Sequence, residues 1–189
     1  MSMFPVGWRL GRRGFRCTRL SYPATRQRLD ASIDHVGAQI ARIDGPVAIV
    51  GHSLGGLIGA ALLRRGDLPI THVVQLGSPN LGSPAADRLA GTWPVRRFCG
   101  PVLEDLGVHE EALPDHPQIG AIAGFGGPTL PGIDLPEPHD GVVSQISAWA
   151  GAGERTSTSS LHSFLPSSGE VARLTSRFLI TGTFAEAPS

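Results

Sequence analysis

An apolar run, Val47-Ala48-Ile49-Val50, leads straight into Gly51-His52-Ser53-Leu54-Gly55-Gly56, and a stretch rich in Leu and Ala, Leu57 to Leu63, leads out. Behind Gly45-Pro46, four consecutive apolar residues predict a buried strand. Past the serine, Leu54, Leu57, Ile58, Ala61 and Leu62 share one helical face. A strand that reverses at once into a helix forces the residue at the apex, Ser53, into a strained conformation with positive φ. Gly51 and Gly55 flank that apex, where a Cβ is expected to collide as strand and helix backbones approach. Ser53 is thereby held above the sheet, and the N–H of Leu54, at the helix start, is free to donate to a negatively charged oxygen.

The rest of the chain alternates around this turn. Residues 3–13 are weakly helical and stop at Gly14, and Phe15 to Leu20 reads as a short strand ended by Ser21-Tyr22-Pro23. From Asp30 to Ile43, Ile33, Val36, Ile40 and Ile43 recur at helical spacing. The elbow strand and its helix follow, ending at Gly66, and His72 to Leu76 is the next strand. Such βαβαβ order predicts an α/β fold with a parallel sheet covered by helices.

Gly77 to Ser83 is a Gly/Ser/Pro loop at the carboxyl end of a strand, where α/β sheets place their ligands. Residues 84–118 hold two short helix candidates, near 85–90 and 101–107, and read either as a cap over the site or as a surface excursion. Ile119 to Ala123 is a further strand, Gly124 to Pro138 a punctuated loop, and Val142 to Trp149 a helix start or short pairing segment. Arg155 to Ser159 is the last strand candidate. Ser167-Ser168-Gly169-Glu170 is a capping-box pattern opening a final helix, with Val171, Leu174 and Phe178 inward. With 189 residues and no internal repeat, one domain over 1–189 is expected.

Sixteen basic residues, all Arg, balance sixteen acidic ones, so nothing in the charge points to nucleic acid or an anionic membrane as partner. The richest stretch, Arg9 to Arg19, reads as a solvated surface. Cys17, in the predicted strand, is expected to be a small buried hydrophobe, and Cys99 falls in a loop-rich region; two cysteines make no framework. No secretory signal and no run of membrane-spanning length is visible. As written, the chain is expected to be soluble and cytoplasmic, with export open if the true start lies upstream.

Gly-His-Ser-Leu-Gly-Gly resembles the nucleophile elbow of α/β-hydrolase lipases and esterases. The resemblance continues through Leu76-Gly77-Ser78-Pro79-Asn80-Leu81-Gly82-Ser83, Asp140-Gly141-Val142-Val143 and His162 ahead of the last helix, from about residue 3 to about residue 184. It implies an α/β-hydrolase-type, mostly parallel sheet flanked by helices. It also implies a serine hydrolase that cleaves carboxylic esters, with a small ester or lipid as substrate and no cofactor.

A serine hydroxyl needs a base to take its proton, and the base needs a carboxylate to fix its tautomer. In this fold the chain order is Ser, acid, His, which Ser53, Asp140 and His162 follow. Of the seven histidines, only His162 lies between the last candidate strand and the terminal helix. His52 on the elbow is assigned a packing role, His35 a solvated helix position, His72 a strand start, and His109 and His116 the cap, while His139 adjoins Asp140. Asp140 before Gly141 matches the family's acid turn, with Val142-Val143 as an apolar wall behind it; Asp134 is the alternative. His109, Glu110, Glu111, Asp115 and His116 form a cluster whose spacing fits no zinc pattern, so no metal is expected.

The family begins with a strand ending in a His-Gly loop that gives the second oxyanion N–H, and neither is found in this sequence. The strands at Phe15–Leu20 and Val47–Val50 would then either close up on each other, or the reading frame would start upstream of Met1. The implied alternatives to ester hydrolysis are acyl transfer with the same residues and an inactive, hydrolase-like binding domain.

Overall fold

The structure, a computed structural model, describes residues 3–23, 28–82, 113–128 and 135–186. Its described strands form one parallel sheet in the order β1 (Val47–His52), β2 (Ile70–Leu76), β3 (His116–Gly124) and β4 (Ala152–Thr158). Val50 lies beside Val74, Val74 beside Gly120, and Gly120 beside Glu154. The two inner strands are apolar on both faces, as a parallel sheet covered by helices requires. Successive residues turn to opposite sides. Val73, Ile119 and Ala121 join one core with α2 (Leu29–Ile40) and α3 (Leu54–Arg65), through Val36, Ile40, Ile58 and Leu62. Val74, Leu76 and Ile122 join the other, with Leu165 and with Val171, Leu174 and Phe178 of the last helix.

The amino-terminal helix, α1 (Phe4–Gly11), buries Val6 and Leu10 against Ala172, and the chain turns at Gly14, φ 93°. The strand expected at Phe15–Leu20 is not formed, and Cys17, expected to be buried, is exposed. A strand needs a ladder partner, and among the described residues no strand lies beyond the outer edge of β1. Closure of these two segments on each other is therefore not what the described chain does.

Other boundaries move for local reasons. β3 begins at His116, so 116–118, expected in a cap, belong to the sheet. Residues 84–112 of that insertion, with both short helix candidates, Cys99, His109, Glu110 and Glu111, lie outside the described residues. Asp115 pairs with Arg155 of β4, and the His116 Nδ1 accepts the N–H of Gln118 at 3.3 Å. β4 starts at Ala152, earlier than the predicted Arg155, directly after the left-handed Gly151 (φ 73°). On α3 the buried residues are Gly56, Ile58, Gly59, Ala60, Leu62 and Leu63, while Leu54, Leu57 and Ala61 are only half-buried. The helix thus lies close on the sheet at Gly59, above Ile49 and Val73, with Ile58 and Leu62 packed beside it.

A short helix, α4 (Gln145–Trp149), is capped by Ser144, whose Oγ accepts the N–H of Ser147 at 3.3 Å. A 3₁₀ helix over His162–Ser167 follows β4 and leads into α5 (Gly169–Thr181). Its cap is Ser168 rather than Ser167: the Ser168 Oγ accepts from the Val171 N–H at 3.3 Å, and the Glu170 carboxylate turns instead to the Thr158 hydroxyl. The 3₁₀ helix occupies Ser167, which moves the cap by one residue. Among the described residues, no helix is long and apolar enough to cross a membrane.

Candidate active site

β1 delivers the chain to Ser53, which has φ 52° and ψ −121° and is the one non-glycine residue with positive φ among those described. Its N–H donates to the Leu76 carbonyl at 2.9 Å, and its carbonyl accepts from the Gly56 N–H at 3.0 Å and the Ser78 hydroxyl at 2.9 Å. A Cβ on Gly51 would stand 2.3 Å from the Gly55 carbonyl carbon and oxygen, so the close approach read from the sequence holds there. It does not hold at Gly55, where a Cβ would meet the Tyr22 hydroxyl at an ordinary 3.6 Å. The second crowded glycine is Gly56, whose Cβ would fall 2.0 Å from the Ser78 Oγ, because this side of α3 faces the loop leaving β2. Leu54 opens α3, and an N–H in that position has no intrahelical acceptor.

The elbow is braced from behind by a pair of amides. The buried Gln75 donates from Nε2 to the Gly56 carbonyl and to the Asn80 Oδ1, both at 3.0 Å. Asn80 returns a bond to the Gln75 Oε1 and donates to the Ala148 carbonyl, also at 3.0 Å each. Ser147 completes the brace, accepting the Leu81 N–H at 3.0 Å and donating to the Gly82 carbonyl at 2.9 Å. These supports escape the sequence reading, although a Gln within the apolar run Val73-Val74-Gln75-Leu76 is a visible signal of a buried polar function.

Beyond β3, Asp140 is 2% exposed and its carboxylate is fully engaged. Oδ1 accepts the N–H groups of Val142 at 2.9 Å and Val143 at 2.7 Å, and Oδ2 lies 2.8 Å from the His162 Nδ1. The Asp140 carbonyl also accepts the His162 N–H at 3.0 Å. Gly141, φ 95°, makes the tight turn that sends both following N–H groups back to the carboxylate. Val143 is buried with Ala123 and Ala148, so the expected apolar wall is present. Asp134 lies outside the described residues. His139 is buried beside the pair: its Nδ1 accepts the Gly141 N–H at 3.1 Å and its Nε2 lies 3.0 Å from the Glu137 carboxylate. A Cβ on Gly77 would come within 3.0 Å of the Asp140 Oδ2 and 3.2 Å of the His162 Nδ1, so only glycine leaves that contact undisturbed.

His162 begins the 3₁₀ helix after β4 and is 8% exposed. An Nδ1–H donated to Asp140 leaves its Nε2 with the lone pair. His52, assigned only packing from the sequence, places its ring centroid 4.6 Å from that of His162, with its Nε2 2.9 Å from the His162 carbonyl. Burial, reinforced by the neighbouring His162, lowers the pKa of His52 to about 4. Ser53, Asp140 and His162 all lie in segments that follow the carboxyl ends of strands, the edge where α/β sheets build sites. The acid and the imidazole are joined directly; among the described residues the Ser53 Oγ makes no hydrogen bond. The remaining histidines lie elsewhere: His35 is exposed on α2, and His72 sits edge-on to Phe178 with ring centroids 5.6 Å apart.

No protein-family model matches the chain, and no curated protein matches it. Its fold does match solved structures. The mature form of the Bacillus licheniformis lipase BlEst2 superposes with a TM-score of 0.58 at 16% identity, covering 84% of this chain and 76% of that one. The propeptide form of the same lipase gives a TM-score of 0.58 at 16% identity, over 87% of this chain and 42% of that one. At such identity the likeness is one of fold: this chain shares an α/β fold, a parallel sheet flanked by helices, with that lipase.

Proposed function

We propose that the chain is a serine hydrolase of the lipase/esterase type, with Ser53 as nucleophile, His162 as general base and acid, and Asp140 as the residue that orients His162. One observation carries the reading: a buried carboxylate, saturated by two backbone N–H groups, holds an imidazole whose neighbour His52 adjoins a strained serine on a strand-to-helix turn. The shared fold with a lipase supports an ester or lipid as the substrate class.

The chemistry follows from these groups. The Ser53 Oγ attacks the ester carbonyl carbon as the His162 Nε2 takes its proton, and the Asp140 carboxylate stabilises the imidazolium. The oxyanion accepts the Leu54 N–H, an interaction worth about 10²–10³ in turnover. The imidazolium protonates the departing alcohol oxygen, leaving an acyl ester on Ser53. Water then attacks that ester through the same base, releasing the acid; a second alcohol in place of water gives acyl transfer. The resemblance to the family implies a further oxyanion donor from a His-Gly loop.

A fluorophosphonate probe should label Ser53 in the folded protein, and Ser53→Ala should lose both label and p-nitrophenyl ester turnover. A folded chain that takes no label and turns over no ester would be a hydrolase-like binding domain instead.

A further inference from the structure

We infer that His52 is a positioning residue for His162, its ring N–H holding the His162 carbonyl beside the His162 imidazole. The inference rests on the triad reading above and adds to it the part that sets the distance between base and nucleophile.

His162 has three hydrogen-bonded anchors. Two come from Asp140: the carboxylate on Nδ1 at 2.8 Å and the carbonyl on the backbone N–H at 3.0 Å. Both tie the imidazole to the loop after β3, and neither relates it to the elbow. The third comes from His52, the residue before Ser53, at 2.9 Å. Among the described residues it is the hydrogen bond that joins His162 to the elbow itself. Because a carbonyl oxygen only accepts, the His52 Nε2 carries the proton and its Nδ1 the lone pair. A tilt of 49° between the rings at 4.6 Å leaves the His162 imidazole little room to swing toward β1. His52 is held uncharged near neutral pH by its burial, so it adds no second positive charge beside the imidazolium that forms during turnover. Two consecutive residues where β1 ends thus fix both groups: Ser53 through its own φ and ψ, and His162 through the side chain of His52.

The test separates the donor from the ring. His52→Gln keeps an N–H of similar reach, whereas His52→Phe keeps an aromatic ring and removes the donor; His52→Met serves if the phenylalanine variant does not fold. Two readouts are compared, the downfield Nδ1–H proton resonance of His162 and the kinetics on a p-nitrophenyl ester. The phenylalanine variant should move or broaden that resonance and lower kcat by about 10- to 100-fold with little change in KM, the scale of a misplaced catalytic group. The glutamine variant should keep the resonance and most of kcat. An unaltered resonance in the phenylalanine variant, or equal losses in both variants, overturns the inference. Should the wild-type protein turn over no ester, the hydrolase reading fails by itself, and the resonance still decides whether His52 positions His162.

Discussion

Asp140 and His162 are joined twice, once by the 2.8 Å contact between carboxylate and imidazole and once by the 3.0 Å bond from the His162 N–H to the Asp140 carbonyl. The main-chain bond places the start of the 3₁₀ helix, and the side-chain bond orients the ring upon it. Because the other carboxylate oxygen is taken by Val142 and Val143, the acid cannot rotate away without breaking two backbone bonds.

Replacing only the charge tests this arrangement. Asp140→Asn can still accept from Val142 and Val143 through its carbonyl, but its amide presents a donor to the His162 Nδ1 and favours the wrong tautomer. Turnover should fall by about 10⁴ with the unfolding temperature little changed, as steady-state kinetics and a thermal melt would show. Full activity in this variant would remove Asp140 from the mechanism.

The two glycines of the elbow pattern should behave oppositely. Gly51→Ala drives a Cβ to 2.3 Å from the Gly55 backbone, which cannot give way, and a loss of about 3 kcal/mol or more is expected. Gly55→Ala meets only the Tyr22 hydroxyl at 3.6 Å and gains helix propensity, so its stability should stay within about 1 kcal/mol. Urea unfolding of both variants is the check; equal losses would mean that the approach of β1 to α3 is misread.

Gln75→Leu removes a side-chain donor from the Gly56 carbonyl and from the Asn80 Oδ1, and leaves the Asn80 amide N–H groups the Ala148 carbonyl alone. A cost of about 1–3 kcal/mol is expected, the scale of a polar group losing its partner away from water. Adding Asn80→Leu should cost less than the sum of the single changes, because the amides share two bonds. Strict additivity in a double-mutant cycle would argue against the pairing.

Acid should weaken the fold through His52. Its pKa is about 4 in the folded chain and about 6.5 when exposed, so between these values the unfolded state binds more protons. Stability therefore falls as pH drops from about 6.5 to about 4, by up to about 3 kcal/mol from this residue, and no further below that. His52→Gln removes the titrating group, and its denaturant midpoint should decline less over the same range. Matching slopes for the two proteins would contradict the shift.

How far the sequence leads depends on whether an element carries its own reasons. Val47–Val50 and the helix after it are legible because apolar runs and glycine punctuation are local, and both appear at β1 and α3. Phe15–Leu20 carries a strand pattern too, but pairing is not local, and no described strand lies beside it. The same distinction runs through the site. His162 could be picked by its place between the last strand and the terminal helix, and Asp140 by the Asp-Gly turn that resembles the family's, and the structure brings their side chains together. His52 could not be read beyond packing, because its partner lies 110 residues away and its role depends on the tilt of two rings. Gly56 replaced Gly55 as the crowded position for a related reason: the obstacle is Ser78, on a loop after another strand.

Ser53 occupies a backbone shape, φ 52° and ψ −121°, in which glycine rests at ease and any larger residue is uncomfortable by about 1–3 kcal/mol. Ser53→Gly should therefore give a sturdier protein, with a higher unfolding temperature, and, on the proposed reading, one that takes no acyl group. Under the proposed hydrolase reading, that strain is what holding the hydroxyl out above the sheet costs the fold.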